Sequence, residues 1–327
     1  MAAIEIEGLR KEFGADTVAV DDVDLTVEEG EVFGFLGPNG AGKSTTINLL
    51  LDFIRPTDGR IEVFGTDVQE NPLAVRERVG VLPEGYGFDP LLGREYLEWA
   101  IETKDADDDP DELLDLVGLG DDADRYATEY SKGMQQRLAF AMALVDDPDL
   151  LVLDEPSTGL DPNGMTTMRE VVRERAANGT TVFFSSHILS EVQSVCDRVG
   201  VMNDGRLVAV DSIEGLQANL GGRASITLEC SVLPADHALG TVDGVVDVAV
   251  ADDTVEVTCT GPGVKEDVVT HLAAQTSIDD IRSEAASLQS LFRELTEGGR
   301  DETADARGES AHSSDSEADA RDVEVSR

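Results

Sequence analysis

Eight residues, Gly37-Pro38-Asn39-Gly40-Ala41-Gly42-Lys43-Ser44, fill every fixed position of the template G-x-x-x-x-G-K-S/T. Glycines at these places let backbone N–H groups turn inward around a phosphate with no Cβ in the way. Lys43 would reach the β- and γ-phosphates of a nucleotide, and the Ser44 hydroxyl would bind Mg²⁺. Thr45 is either an ordinary helix residue, as Thr46 is, or a further phosphate contact. A second group follows far along the chain. Leu150-Leu151-Val152-Leu153-Asp154-Glu155 is an apolar strand that ends in two carboxylates. In a parallel sheet both would sit at the carboxyl edge, beside the cradle. Asp154 suits a Mg²⁺ shell there, and Glu155 suits polarising an attacking water. The chemistry these groups fit is phosphoryl transfer from ATP to water. Taken singly, the first motif could be a chance glycine-rich turn and the second a buried strand running into an acidic loop. Their co-occurrence argues against both.

Positioning these groups takes a strand, a turn and a helix. Val32, Phe33, Phe35 and Leu36 form a short apolar run before the cradle, and Ile47, Leu50, Leu51 and Ile54 follow at helical spacing. The helix start supplies unpaired N–H groups and the positive end of its dipole. Upstream, residues 3–10 alternate and read as an edge strand ended by Phe13-Gly14, and Val18 to Val27 read as a second strand. Residues 61–64 and 79–82 are short β runs, with a helix opened between them by Asn71-Pro72. From about Glu84 the character turns helical. Residues 92–104 (Tyr96, Leu97, Trp99, Ala100, Ile101), the segment from Pro110 to Val117, and Ser131 to Val145 give a helical insert over about 88–145. The β character then resumes at Leu150–Leu153 and Thr180–Phe184, with helices expected over Met165–Arg175 and Ile188–Arg198. Asn203-Asp204-Gly205-Arg206 reads as a hairpin turn between Val199–Met202 and Leu207–Val210. After Gly221-Gly222 a small α+β unit is expected. It has alternating runs at Ile226–Val232, Val246–Val250 and Val255–Cys259, a helix over Val264–Ala274, and a last helix carrying Leu288, Leu291, Phe292 and Leu295. The expected division is 1–220, 221–297 and an acidic tail over 298–327. That tail has no Leu, Ile, Phe or Met, and its composition predicts disorder because nothing in it offsets backbone ordering entropy.

Composition bounds the setting. An apolar fraction of 41% supports an ordinary core, but 68 Asp and Glu stand against 25 Lys and Arg, a net charge of −43. Solubility of a small domain needs a net charge of only about 2–8. The tail carries a net of −5, so the excess lies on residues 1–297. Such a surface repels itself in dilute buffer and becomes tolerable where the screening length falls to about 3 Å, near 1 M salt. The reading is a protein of a high-salt cytoplasm, as in halophiles. A basic partner is the alternative, and it is disfavoured because the acids spread along the whole chain. With no basic stripe, nucleic acid is not expected as a partner. Cys196, Cys230 and Cys259 are scattered and read as buried thiols of a reducing cytosol. No signal peptide is indicated, and no 18-residue apolar stretch exists to span a membrane.

Beside these two motifs stands Tyr130-Ser131-Lys132-Gly133-Met134-Gln135-Gln136-Arg137, which resembles the signature Leu-Ser-Gly-Gly-Gln of the ATP-binding subunits of ATP-binding-cassette (ABC) transporters. Over residues 3 to about 220 the chain is similar to that family. The resemblance implies an α/β fold, a P-loop NTPase cassette with a RecA-like core and helical subdomain, plus a small C-terminal α+β domain. Ser131 and Gly133 match the signature; Tyr130, Lys132 and Met134 depart from it. The resemblance implies that two chains sandwich two ATP molecules head to tail, with Ser131 and Gly133 facing the γ-phosphate held by the other copy and Asp161 in the loop that communicates across the dimer. It implies that His187 is the switch histidine at the γ-phosphate and that Phe13 stacks on adenine, although by pattern alone Phe13 reads as core. Gly37, Pro38, Asn39, Gly40, Ala41, Gly42, Lys43, Ser44 and Thr45 form the ATP cradle, Ser44, Glu84 and Asp154 hold Mg²⁺, and Glu155 acts on the attacking water. Glu84 stands where many members have Gln. A carboxylate there binds a metal or a water but cannot donate as an amide does. That change also resembles the branch paired with ABC-2 exporter-type permeases. The implied function is an ATPase that dimerises on ATP and drives a separate membrane permease from the cytoplasmic face. Permease contacts are expected near Tyr86, Phe88, Leu91 and Leu92, which read equally as core between subdomains. The competing reading is a soluble ABC ATPase acting on a macromolecular assembly.

Overall fold

The computed structural model describes residues 1–14, 17–219, 224–234, 237–251, 253–261, 263–285, 292 and 296. In chain order the elements begin with strands β1 (Ala2–Phe13), β2 (Thr17–Glu28) and β3 (Val32–Leu36), and helix α1 (Lys43–Leu50). Next come β4 (Asp58–Val63), β5 (Thr66–Asp67), α2 (Pro72–Glu77) and β6 (Val79–Leu82). The helical stretch holds α3 (Gly93–Lys104), α4 (Pro110–Leu116) and α5 (Lys132–Ala143). After it follow β7 (Leu150–Asp154), α6 (Pro162–Ala177), β8 (Thr181–Ser186), α7 (Leu189–Val195), β9 (Arg198–Asn203), β10 (Arg206–Ser212) and α8 (Ile213–Asn219). The last described stretch is β11 (Ala224–Cys230), β12 (Val245–Ala251), β13 (Thr254–Cys259), α9 (Val264–Ala273) and β14 (Ile278–Ala285).

Among the described residues three sheets form, ordered β2-β1-β4-β5, β10-β9-β3-β8-β7-β6 and β12-β13-β11-β14. The second carries the site. Its strands β9, β3, β8, β7 and β6 run parallel, and β10 closes one side antiparallel. Strands covered on both faces have no polar side to show, so β3, β7 and β8 are buried at every residue. One face packs against the antiparallel first sheet and α1, where Phe183 meets Phe33 and Phe35 at 5.8 and 5.2 Å between centroids. The other face packs against α5, α6 and α7, and the core continues from there into α3 and α4. Gly80 of β6 marks how closely α5 approaches: a Cβ there would lie 1.9 Å from the Ala143 carbonyl oxygen. The three cysteines are buried.

The fold corrects the sequence reading in several places. β1 is not an edge strand: it pairs with β2 on one side and β4 on the other. Alternation reports that one face is wet, which says nothing about pairing. The helix expected over Ile188–Arg198 stops at Val195. Cys196 is extended, and Asp197 is pinned to β3, its N–H donating to the Val32 carbonyl at 2.8 Å and its carboxylate accepting from the Val32 N–H at 3.0 Å. Trp99, on the helical pattern read over 92–104, does lie on α3, and its side chain is exposed. β14 was not anticipated. Its sequence Ile-Asp-Asp-Ile-Arg-Ser-Glu-Ala has little strand propensity, and it is held by the backbone ladder to β11. The expected junction at Gly221-Gly222, the last helix at Leu288, Leu291 and Leu295, and the tail from Gly298 lie outside the described residues.

Candidate nucleotide site

β3, β7 and β8 point the same way, so the loops that leave their carboxyl ends meet at one edge of the sheet. The first loop is the cradle. Gly42 adopts φ +107°, and a Cβ there would stand 2.4 Å from the Ala19 carbonyl oxygen, so the turn into α1 requires glycine. No side chain caps α1, so the first N–H groups of α1 are left for an anion. Lys43 is buried. Its Nζ donates to the Gly37 carbonyl at 2.7 Å, lies 3.4 Å from the Pro38 carbonyl, and pairs with Glu155 Oε1 at 3.4 Å. A cavity of about 260 Å³ opens over the cradle. Asn39, Gly40, Gly42, Lys43, Ser44 and Thr45 line one side, and Ala19, Glu84 and Glu155 face them.

Asp154 ends β7, buried beneath this cavity. Ser185 Oγ donates to its Oδ1 at 2.8 Å. Burial pushes the Asp154 carboxyl above the usual range. Hydrogen bonds from Ser185 and Ser44 oppose that, and the charges of Glu84 and Glu155 add to it. The site thus gathers the carboxylates of Glu84, Asp154 and Glu155, with the Ser44 and Ser185 hydroxyls on Asp154 and the Lys43 cation on Glu155. Among the described residues no group of three or more His, Cys, Asp or Glu is placed to hold a metal ion. The oxygen set of Ser44, Asp154 and Glu84 is of the hard type that suits Mg²⁺, and a cation would relieve the charge that raises Asp154.

Glu155 follows Asp154 with φ +47°, a left-handed conformation that costs an L-residue about 1–2 kcal/mol. Its N–H donates to the Ser185 carbonyl at 3.1 Å. This turn aims the carboxylate between Lys43 and His187, whose Nδ1 lies 2.7 Å from Oε2. Glu155 is buried, whereas His187 is 45% exposed. Behind His187, Ser186 Oγ donates to buried Glu191 at 2.7 Å and accepts from the Ile188 N–H at 3.0 Å, which fixes the loop.

Other expected positions lie apart. Ser131 caps α5, its Oγ accepting from the Met134 N–H at 3.2 Å, so Ser131 and Gly133 do stand at a helix start. Gly133 abuts the next loop: a Cβ there would lie 2.7 Å from the Gly159 carbonyl oxygen. Asp161 caps α6, accepting from the Gly164 N–H at 2.8 Å. None of these three lines the cavity over the cradle. Phe13 is not core. It is 46% exposed, with Lys11 Nζ 5.1 Å from its ring centroid, and it too lies off the cavity lining. A second cavity of about 200 Å³ lies against the first and shares Glu84 and Glu155 with it, adding Tyr86, Lys132, Gln136 and Thr158. Sequence reasoning missed Ser185, Gln136 and Glu191. The signal for Ser185 was present, since Ser185-Ser186 interrupts an apolar strand directly before His187.

Residues 20–158 match the family model described as ABC transporter. The daunorubicin resistance ATP-binding protein DrrA3 of Streptomyces coeruleorubidus is 40% identical over 251 residues, 74% of this chain and 79% of that protein. The bacitracin transport ATP-binding protein BcrA of Enterococcus faecalis is 40% identical over 217 residues, 65% of this chain and 70% of that one. An uncharacterized ABC transporter ATP-binding protein of Nostoc is 44% identical over 61% of each chain. Among solved structures, the ATP binding subunit of an ABC transporter superposes with a TM-score of 0.62 at 27% identity, over 67% of this chain and 93% of its own. A dimeric bacterial ABC transporter cassette, at 21% identity and a TM-score of 0.59, shares the fold.

Proposed function

The chain belongs to the ABC transporter ATP-binding proteins, and from that membership we propose that it is a peripheral subunit on the cytoplasmic face of a membrane, which closes on ATP as a homodimer and powers a separate exporter permease. It binds and hydrolyses ATP. The observation that carries the site assignment is the pairing of Glu155 with His187 at 2.7 Å and with Lys43 at 3.4 Å, in the wall of the cavity over the cradle.

In the mechanism so assigned, the triphosphate lies along the cradle N–H groups between Asn39 and Thr45. Its β- and γ-phosphates draw Lys43 away from the Gly37 carbonyl and from Glu155. Glu155, released from that cation and held by His187, accepts a proton from the attacking water. Ser44, Asp154 and Glu84 would hold Mg²⁺, which when bound neutralises charge developing on the phosphate oxygens. Phe13 offers an exposed ring to adenine. Ser131, Gly133 and Asp161, off the chain's own cavity, serve the nucleotide of the second copy. Work on the permease comes from the difference in ATP affinity between open and closed dimers. The cassette spans 1–220 with its helical insert over about 88–145, and 221–297 forms an accessory domain before the tail. Nucleic acid is not among its partners. The names of the relatives, drug and bacitracin transport among them, point to an exporter cargo of that kind. The acidity supports a high-salt cytoplasm as its setting.

The test is Glu155→Gln in multimolar KCl with MgATP. Turnover is expected to fall by about 10²–10⁴, ATP binding to persist, and a dimer to accumulate by light scattering. Affinity capture of that variant from membranes is expected to bring down a polypeptide with about six spans. Hydrolysis at the wild-type rate would remove Glu155 from its role, and capture of soluble assembly proteins alone would overturn the transport reading.

A further inference from the structure

Gln136 lies on α5, five residues past Ser131, and is buried. Its side-chain amide is used at both ends by segments that flank the hydrolytic carboxylates. The Tyr86 hydroxyl donates to Gln136 Oε1 at 2.7 Å, and Gln136 Nε2 donates to the Pro156 carbonyl at 3.0 Å. Tyr86 stands two residues past Glu84, and Pro156 directly follows Glu155. The same tyrosine ring meets Phe88 edge-on at 5.2 Å, and Phe88 meets Tyr96 of α3 at 4.8 Å. One buried amide therefore joins the Glu84 loop, the Glu155 loop and the helix that presents Ser131.

We propose that Gln136, with Tyr86, is a positioning residue for hydrolysis: its amide transmits the placement of α5 and the Glu84 loop to the backbone that aims Glu155. The chemistry requires an amide. Only a side chain that accepts on one end and donates on the other satisfies a hydroxyl donor and a carbonyl acceptor at once. Glutamate at 136 would keep the bond from Tyr86 and set a carboxylate oxygen against the Pro156 carbonyl. Leucine would lose both bonds and leave the buried Pro156 carbonyl without this donor. Because Glu155 sits in a left-handed turn one residue before Pro156, the turn depends on what holds Pro156. A shift of α5 when a second copy docks on Ser131 would reach the Glu155 carboxylate along this path, with no contact between Ser131 and Glu155 needed. The proposal rests on the hydrolytic role given to Glu155 above.

The experiment compares wild type with Tyr86→Phe, Gln136→Glu, Gln136→Leu and the Tyr86→Phe/Gln136→Leu double variant, in multimolar KCl. It reads kcat and KM for ATP, the Kd of a fluorescent ATP analogue and the unfolding midpoint. Tyr86→Phe keeps the ring stack and removes one hydroxyl, so it stays folded where a change at 136 does not. Tyr86→Phe is expected to lower kcat about tenfold, the effect of one hydrogen bond of about 1.4 kcal/mol, and Gln136→Glu and Gln136→Leu by at least as much. Nucleotide Kd is expected to stay within about twofold, and the double variant to be no slower than Gln136→Leu, since both changes break one path. Unchanged kcat with only a lowered midpoint, or effects that add fully in the double variant, would overturn the proposal. A wild-type protein that binds ATP without hydrolysing it would instead overturn the function assigned to the site, and this inference with it.

Discussion

Asp154 carries its carboxylate in a buried position, and its folded pKa is raised by burial above the ordinary 3.8. The sign of the consequence follows from linkage. A carboxyl with a raised folded pKa favours the folded state below the unfolded pKa, and that contribution disappears as pH rises through the folded value. At neutral pH Asp154 is therefore a burden on the nucleotide-free fold. Asp154→Asn is expected to raise the unfolding midpoint at pH 7, to lose this advantage as pH falls toward 3.8, and to lose Mg²⁺-dependent turnover. Paired melting curves across that window check it, and a variant less stable at pH 7 would contradict it. At this scale the sequence was most legible where a template fixes spacing. Asn39, Gly40, Gly42 to Thr45, Glu84 and Glu155 do share one cavity. What spacing could not give were contacts across the sheet edge. Ser185 on Asp154 shows in the sequence only as a polar break in an apolar strand, and Gln136 on Pro156 stands between Gln135 and Arg137, where nothing local marks it as buried. Phe13 was misplaced as core by pattern because an aromatic at a strand end has no periodicity to test.

Elements were legible where hydrophobic period decides and less so where neighbours decide. β3, β7 and β8 were plain because their burial on both faces leaves continuous apolar runs. The pairing of β1 escapes the sequence because it depends on β4, about fifty to sixty residues away, and the charged strand β14 is held by β11. The junction of α5 with β6 gives a prediction at this level. Gly80→Ala would drive a methyl group into the Ala143 carbonyl at 1.9 Å and toward Pro148 at 2.9 Å. Backbone cannot yield as a side-chain tip can, so the strand and helix must separate. The expected loss is about 1–3 kcal/mol, read by denaturant unfolding at constant salt. A midpoint equal to wild type would show that α5 moves freely on the sheet.

Over the whole molecule, a net charge of −43 makes salt a structural variable. Raising KCl from about 0.1 M to about 1 M shortens the screening length from about 10 Å to about 3 Å. Repulsion among carboxylates weakens over the whole surface. Many of the ion pairs lost with it are exposed, such as Arg78 with Asp149, and each is worth only about 0–1 kcal/mol. Repulsion thus dominates the balance, and the unfolding midpoint is expected to climb steadily with KCl. A flat or falling midpoint would remove the assignment to a high-salt cytoplasm while leaving the ATPase assignment untouched.

The left-handed turn at Glu155 has a consequence for selection. Asparagine or glycine would sit there with less backbone strain, so a search of sequence space scored only on heat resistance would favour them at 155 and enrich chains that bind ATP without turning it over. Glutamine, which shares the shape of glutamate, keeps the strained turn and gains no such advantage. Selection for robustness and selection for turnover therefore pull position 155 in opposite directions, and a library scored on both would retain glutamate there despite its cost to the fold.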